Sequence, residues 1–376
     1  MSRQHHGKWA LATTCAASVL LTACGSGGET SSGNGDSEEA SEPVSLQYAS
    51  GIAAQSSIGQ GLQFWVDEAV SDSDGSVEIE MFEGGSLLSI QDTLDGVKDG
   101  RADLGYITDG YVADQLPLWT VADIPFVSDD PGAAIRAFDD LYESNEDFRA
   151  EFEAQGVHVL HFIPVGPAST GTADPLDEPQ DYEGLTIRGV GRVAEAEQLL
   201  GAELVFLPLD QVHDALQRNL VDGWSGILFD LTIDLGFHEL RNNITDTGVG
   251  LYASSATVIN LDRWNSLSAV QQTALEEQAD AYYEEAMSLL TMNEASACER
   301  AQESGVNVTA FSDDEVSEWK DIAQQKVIDG WKADVEAAGT TAETAQAFYD
   351  EYVAAVEQYA ADSDYVSGMQ QCASGS

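Results

Sequence analysis

Val77-Glu-Ile-Glu-Met-Phe82, then Glu83-Gly84-Gly85, then Ser89 to Lys98, then Asp103-Leu-Gly-Tyr-Ile107: this run decides the fold class. Val77 to Phe82 alternates with the two-residue period of a half-buried strand, the glycine pair turns the chain, Ser89 to Lys98 carries helical spacing, and Asp103 to Ile107 is β-like again. The same order spreads outward in both directions. Upstream, Val44 to Ala49 reads as a strand, and Ser57 to Val70 reads as a helix with Ile58, Leu62, Trp65 and Ala69 on one face. Downstream, Phe138 to Ala154 and Arg192 to Leu200 read as helices. Val157 to Ile163, Leu185 to Arg188, Leu204 to Leu207 and Ser225 to Phe229 read as strands. Strands alternating with helices imply an α/β protein with parallel sheets between helical layers. The last third differs: Leu267, Val270 and Ala274, then Trp319, Val327, Trp331 and Val335, then Phe348, Tyr352, Val356 and Tyr359 recur at helical spacing, as core stripes do.

The amino terminus reads as a lipoprotein signal. Arg3 and Lys8 precede an apolar stretch from Trp9 to Leu21, and Leu21-Thr-Ala-Cys24 places small residues before a cysteine. Interrupted by Thr13, Thr14 and Ser18, that stretch is too short to span a bilayer. Residues 1–23 are therefore expected to be a signal peptide and Cys24 a lipidation site, with residues 24–43, rich in Gly, Ser and Glu, as a flexible tether. The expected location is extracytoplasmic, anchored to the cell membrane by lipid.

About 330 residues follow the tether, enough for two ordinary domains. The formal charge of the chain is −51, and loss of Arg3 and Lys8 with the signal takes it to −53. Nucleic-acid binding is excluded on that charge, because phosphate contacts need clustered basic residues. The acids read as a solvated anionic surface; Asp72-Ser73-Asp74-Gly75 lacks the spaced ligands of a calcium loop and reads as a turn. Cys15 leaves with the signal and Cys24 is acylated, so Cys298 and Cys372 remain. An oxidising exterior and an even count favour a Cys298–Cys372 disulfide over two free thiols.

Enzyme signatures are mostly lacking, and neither a metal nor a cofactor is expected. Gly223-Trp-Ser225-Gly226 has Ile227 where a nucleophile elbow needs Gly, and His158 and His161 have no metal-protease partner. Gly189-Val-Gly191-Arg-Val-Ala194 does match the dinucleotide fingerprint GxGxxA, with Asp210 about 20 residues on. It sits mid-chain, without a βαβ half before it, and outside the cytoplasm. The same geometry, a helix starting near Gly191 beside Arg188, suits a carboxylate, which the Arg fork can hold.

Asp181-Tyr-Glu-Gly-Leu-Thr-Ile-Arg188, continuing through Leu199-Leu-Gly-Ala202, Leu207-Pro-Leu-Asp-Gln-Val212 and Ala215-Leu-Gln217 to Val221-Asp-Gly223, resembles the extracytoplasmic solute receptors of TRAP transporters, the DctP type. Phe82 to Leu87, Gly100 to Gly105, Leu116 to Trp119 with Ile124 to Phe126, and Trp264 to Leu267 support the likeness, which extends from Val44 to about Tyr359. The resemblance implies a two-domain, periplasmic-binding-protein-like clamshell with hinge crossings and extra C-terminal helices. It would close on a small organic acid and deliver it to the small and large membrane permease subunits. An ABC importer is the alternative partner, and a dinucleotide enzyme a more distant reading. The expected domains are 44–165 with 251–291, and 166–250 with 292–376.

In that family the arginine matching Arg188 pairs with the ligand carboxylate. A second arginine found in many members falls, by ungapped counting, on Ala168, which puts a dicarboxylate ligand in doubt. Ser169 and Thr170 are expected to donate hydrogen bonds there instead, with Arg192 as a possible second charge and Trp224 covering an apolar part of the ligand or lying in the core. Ser50, after the first strand, and Thr108, Asp109 and Tyr111, after the third, are expected to line the cleft by their position at strand ends.

Overall fold

The computed structural model describes residues 42–375. The signal peptide, Cys15, Cys24 and nearly all of the tether lie outside the described residues. Among the described residues eleven strands form two sheets. They are β1 (Val44–Ala49), β2 (Val77–Phe82), β3 (Leu104–Thr108), β4 (Val157–Ile163), β5 (Ser169–Thr172), β6 (Thr186–Arg188), β7 (Glu203–Val205), β8 (Gly223–Ile227), β9 (Asn243–Asp246), β10 (Ser255–Asn260) and β11 (Asn307–Ala310). The first sheet has the order β2-β1-β3-β10-β4 and the second β11-β9-β5-β8-β6-β7. The chain passes from the first sheet to the second between β4 and β5, returns between β9 and β10, and crosses again to the second sheet between β10 and β11.

The sheets are mixed, where the alternation of elements implies parallel ones. β1 pairs parallel with β2 and β3, and β6 pairs parallel with β7 and β8. β10 runs antiparallel to β3 and β4, and β5 antiparallel to β8 and β9. The exceptions involve β5 and β10, which enter directly from the other lobe with no crossover helix behind them and so escape the geometry that makes βαβ neighbours parallel; β11, which enters behind the helix Ala279–Glu303, pairs parallel with β9.

Local chemistry sets the helix ends. The helix Ser57–Asp72 starts where the Ser56 side chain accepts from the Gly59 N–H, and it buries Ile58, Leu62, Trp65 and Ala69, the expected face. The expected helix from Phe138 to Ala154 is two helices, Pro131–Ser144 and Glu146–Ala154. Asn145 separates them: its extended backbone ends the first, and its side chain accepts from Phe148 N at 3.0 Å to cap the second. The segment Ser89 to Lys98 begins with a 3-10 turn, Ile90–Asp92, and becomes α-helical only at Thr93–Lys98.

The C-terminal helices do not all side with the second sheet. In the helix Asp313–Ala337, Trp319 and Val327 join a core with Tyr182 and Ile187 of the second lobe, whereas Trp331 and Val335 join the core of the first. The helix Ala342–Ala360 packs on Pro131–Ser144: Tyr352 stacks on Phe138 at 4.7 Å between ring centroids, and Phe348 meets Phe148 at 4.9 Å. The 25-residue helix Ala279–Glu303 also spans both lobes, with Tyr282 and Ala286 in one core and Ala297 and Ala301 in another. Cys298, on this helix, is joined to Cys372 by a disulfide. Beside it the buried Glu294 carboxylate accepts from Tyr365 Oη and from Gly368 N, fixing the tail at a second point. Among the described residues no helix is long and apolar enough to cross a membrane.

The disulfide closes a loop with a sequence separation of 74. Chain-entropy reasoning gives such a loop up to about 4 kcal/mol. Urea unfolding with and without reductant is therefore expected to show a stability loss approaching that figure, and C298S/C372S is expected to show the same loss with no reductant effect.

Candidate functional site

A cavity of about 440 Å³ lies between the two sheets. Its walls come from strand ends and the first turns that follow them. The first lobe supplies Gly51 to Ala53 after β1, Gly84 and Gly85 after β2, and Thr108, Gly110 and Tyr111 at the end of β3. The second lobe supplies Arg188 and Val190 at β6 and Gly226 to Leu228 at β8, and Val165, Tyr252 and Ala253 come from the first two passages between lobes. Ligands of α/β proteins bind at this edge because the chain leaves each strand there as adaptable loop. Most of the wall is apolar: Ile52, Ile58, Ile90, Val165, Leu209 and Leu231 all face it.

Arg188, 2% exposed, is the one cation among the described lining residues. Its Nε donates to Leu207 O at 3.0 Å, and its Nη1 to Ser225 O at 3.3 Å and Gly226 O at 3.5 Å. Three backbone carbonyls thus fix the guanidinium without neutralising it. Burial pulls its pKa down, while Tyr111, Tyr252 and Glu197 hold it up, Tyr111 also as a hydrogen-bond partner. An arginine starting above pH 12 stays charged through such a shift. Behind it, Glu197 is fully buried; burial pushes its carboxyl up to about 7 against hydrogen bonds from Ser225 and Tyr182 and the field of Arg188. Asp210 and Asp230 also line the cavity, but Asp230 is already engaged, accepting from Ser57 Oγ at 2.8 Å and from Leu231 N at 2.9 Å.

Of the residues singled out in the sequence, the fold brings Arg188, Thr108 and Tyr111 to the cavity wall. Tyr111 stands edge-on to Phe206 of the opposite lobe, ring centroids 6.3 Å apart. Ser50 is buried just behind the wall, its hydroxyl accepting from Ile52 N at 3.2 Å, so it shapes the loop rather than facing the space. Asp109 is turned inward, fully buried, with Oδ1 accepting from Gly110 N at 2.7 Å.

The remaining residues lie away from the cavity wall. Trp224 is fully buried in the second lobe's core; its indole lies where a Cβ on Gly171 would come within 2.1 Å, so it covers the sheet and not a ligand. Ser169 spends its hydroxyl on Ile227 O at 2.7 Å, and Thr170 sits between Tyr182 Oη at 3.1 Å and Ser225 Oγ at 3.4 Å. Both bond within the sheet because β5, an interior strand, has both faces covered. Arg192 turns to Glu195 and Asp334 and does not reach the cavity. The GxGxxA turn holds no room for a pyrophosphate, since the Asp123 carboxylate already occupies its mouth, 2.4 Å from where a Gly191 Cβ would be.

Tyr252, Tyr106, Ser57 and Leu231 line the cavity without having been singled out. Ser57 begins a helix whose N-cap signal is legible, Ser56 followed by an apolar face, and the strand-end rule applied there would have found it. Tyr252 sits on the returning passage, where no local motif marks it. His158 and His161 serve the core: His161 meets Thr257 Oγ1 at 2.9 Å, and burial pulls its pKa down to about 3. Among the described residues no cluster of His, Cys, Asp and Glu could hold a metal ion.

The chain is similar to several known proteins. The ectoine-binding periplasmic protein TeaA of Halomonas elongata is 24% identical over 290 residues, 72% of this chain and 84% of that one. The C4-dicarboxylate-binding periplasmic protein DctP of Rhodobacter capsulatus is 25% identical over 245 residues, 62% of this chain and 70% of that one. The fold matches the TRAP solute-binding protein of Rhodoferax ferrireducens, solved with copurified benzoate, at a TM-score of 0.76 and 22% identity, covering 85% of this chain and 99% of that one. The model of the bacterial extracellular solute-binding proteins, family 7 (DctP), matches residues 48–333, well over half of the chain. The chain therefore belongs to that family, the extracytoplasmic solute receptors of TRAP transporters, which bind and deliver solutes and are not enzymes.

Proposed function

We propose that this receptor captures a small organic acid carrying one carboxylate and an apolar body, and closes its two lobes around it. The observation that carries the reading is the lone guanidinium of Arg188 in a mostly apolar cavity. With Nε and Nη1 held by carbonyls, Nη2 is left for a ligand carboxylate, with Tyr111 on the same cavity wall. That charge-assisted contact gains strength from burial. A second carboxylate would find no cation and would face Asp210 and Asp230. Ala168, at the place of the family's second arginine, lies in the core at 1% exposure with its N–H bonded to Gly250 O. Benzoate, bound by the Rhodoferax relative, has the proposed shape: one carboxylate on an apolar ring. In the same reading, lipid on Cys24 holds the receptor at the membrane, and the small and large permease subunits of a TRAP transporter accept the solute from it.

A thermal-shift and calorimetric screen of mono- and dicarboxylates, with benzoate as the first probe, tests the ligand class. A monocarboxylate with an apolar body is expected to raise the melting temperature. A shift produced only by dicarboxylates or neutral sugars would sink the reading. For the acid that binds, Arg188→Ala is expected to lower affinity by about 100-fold or more with the fold retained, since a buried charged hydrogen-bond pair is broken. Arg188→Lys is expected to restore little, because a point charge cannot replace the fork that three carbonyls hold. Ala168→Arg is expected to destabilise the protein by about 3 kcal/mol or more, by placing an unpaired guanidinium in the core, and not to create dicarboxylate binding. Urea unfolding and the same calorimetry check both halves of that statement.

A further inference from the structure

The first lobe lines the cavity with a cluster of three hydroxyl side chains, Tyr106, Thr108 and Ser255. Strand geometry explains why they meet. Tyr106 and Thr108 stand two residues apart on β3 and so share a face, and the antiparallel register sets Ser255 of β10 directly across from Thr108. Ser255 Oγ lies 2.7 Å from Tyr106 Oη and 3.0 Å from Thr108 Oγ1, which makes it the hub of the cluster. Among the described residues none of the three hydroxyls bonds outside the cluster.

Counting protons gives the cluster a direction. Three hydroxyls carry three protons, and the two contacts use two of them. One proton is left over. Ser255 and Tyr106 are at most 2% exposed, whereas Thr108 is half-buried at the cavity end of β3. A spare proton on either buried group would be stranded without an acceptor, which is costly. The order that strands none has Tyr106 donating to Ser255, Ser255 to Thr108, and Thr108 outward into the cavity. Bonds in such a series polarise one another, so the last donor is strengthened by those behind it.

We propose that Thr108, oriented by Ser255 and Tyr106, donates to an oxygen on the body of the bound acid, so that the ligand is a hydroxy or oxo monocarboxylate and not a purely apolar one. The inference rests on the reading of Arg188 as the carboxylate anchor and narrows it. Arg188 belongs to the second sheet and the hydroxyl cluster to the first, so a ligand with these two polar ends engages both lobes. Closure then gains a contact that neither lobe makes alone. An apolar acid of the same size leaves the Thr108 proton buried and unmet, and this is the source of the selectivity.

Isothermal titration calorimetry on the whole chain tests it with two series of probes, benzoate with its three monohydroxy isomers, and butyrate with its hydroxy and oxo derivatives. At least one substituted acid is expected to bind about tenfold more tightly than its parent. In T108V that ratio is expected to fall to about one, with the parent acid bound as well as before or better, whereas a purely structural role for Thr108 would weaken both. T108S, which keeps the hydroxyl, is expected to keep the ratio. A ratio near one in the wild type for both series, or a ratio that survives in T108V, overturns the subsite. Arg188→Ala separates this inference from the one it rests on. Loss of every acid in that variant, with a wild-type ratio near one, leaves the anchor standing and removes the subsite; undiminished binding with the ratio intact does the reverse.

Discussion

A guanidinium buried at the end of a strand is the constraint around which the cleft is built. Removing an arginine from water costs several kcal/mol unless its hydrogen bonds are replaced. Here the carbonyls of Leu207, Ser225 and Gly226 replace them. Those carbonyls lie after β7 and on β8, so both strands flanking β6 must be in register before Arg188 can be held. Carbonyls supply dipoles and no formal charge, and the guanidinium stays un-neutralised by them in a chain whose formal charge is −51. An anion crossing that surface field is favoured only within reach of this side chain, which makes selectivity a property of the cavity and not of the surface.

The rest of the architecture serves to bring a second wall over that arginine. The strands β5 and β10 enter each sheet from the other lobe, and two long helices, Ala279–Glu303 and Asp313–Ala337, contribute to cores on both sides. The lobes are therefore coupled by covalent passages, by shared helices and by polar contacts at the cavity itself, such as Ser57 with Asp230. A ligand held by both walls favours closure through contacts it cannot make with one lobe alone. Aromatic stacking of the terminal helix on Pro131–Ser144 stiffens the first lobe far from the cleft, leaving the passages as the place where motion can occur.

Which site residues were legible depended on what made them functional. Arg188, Thr108 and Tyr111 follow from position, because a strand end in an α/β sheet faces the cleft whatever the rest of the chain does. Ser169, Thr170 and Trp224 lie near Arg188 in space, yet their side chains are taken up by neighbouring strands. Whether a hydroxyl faces a ligand or a carbonyl depends on strand pairing, which is not written locally. Asp109 shares a loop with two cavity residues and points the other way, buried, with its Oδ1 taken by the Gly110 N–H. Tyr252 reaches the wall only because the chain returns from one sheet to the other.

The sequence by itself determined the α/β class, most strand and helix positions and the place of Arg188 at a strand end, because these rest on periodicity, capping and strand-end geometry acting over a few residues. Even there the local rules limited the outcome: Asn145 split one expected helix into two. Only the tertiary structure decided that the sheets are mixed, that the C-terminal helices are divided between the lobes, and that the GxGxxA turn is filled by an aspartate rather than a cofactor. Each of these depends on contacts between residues tens to hundreds of positions apart. Such contacts form only when chain passages and shared cores have fixed which surfaces meet.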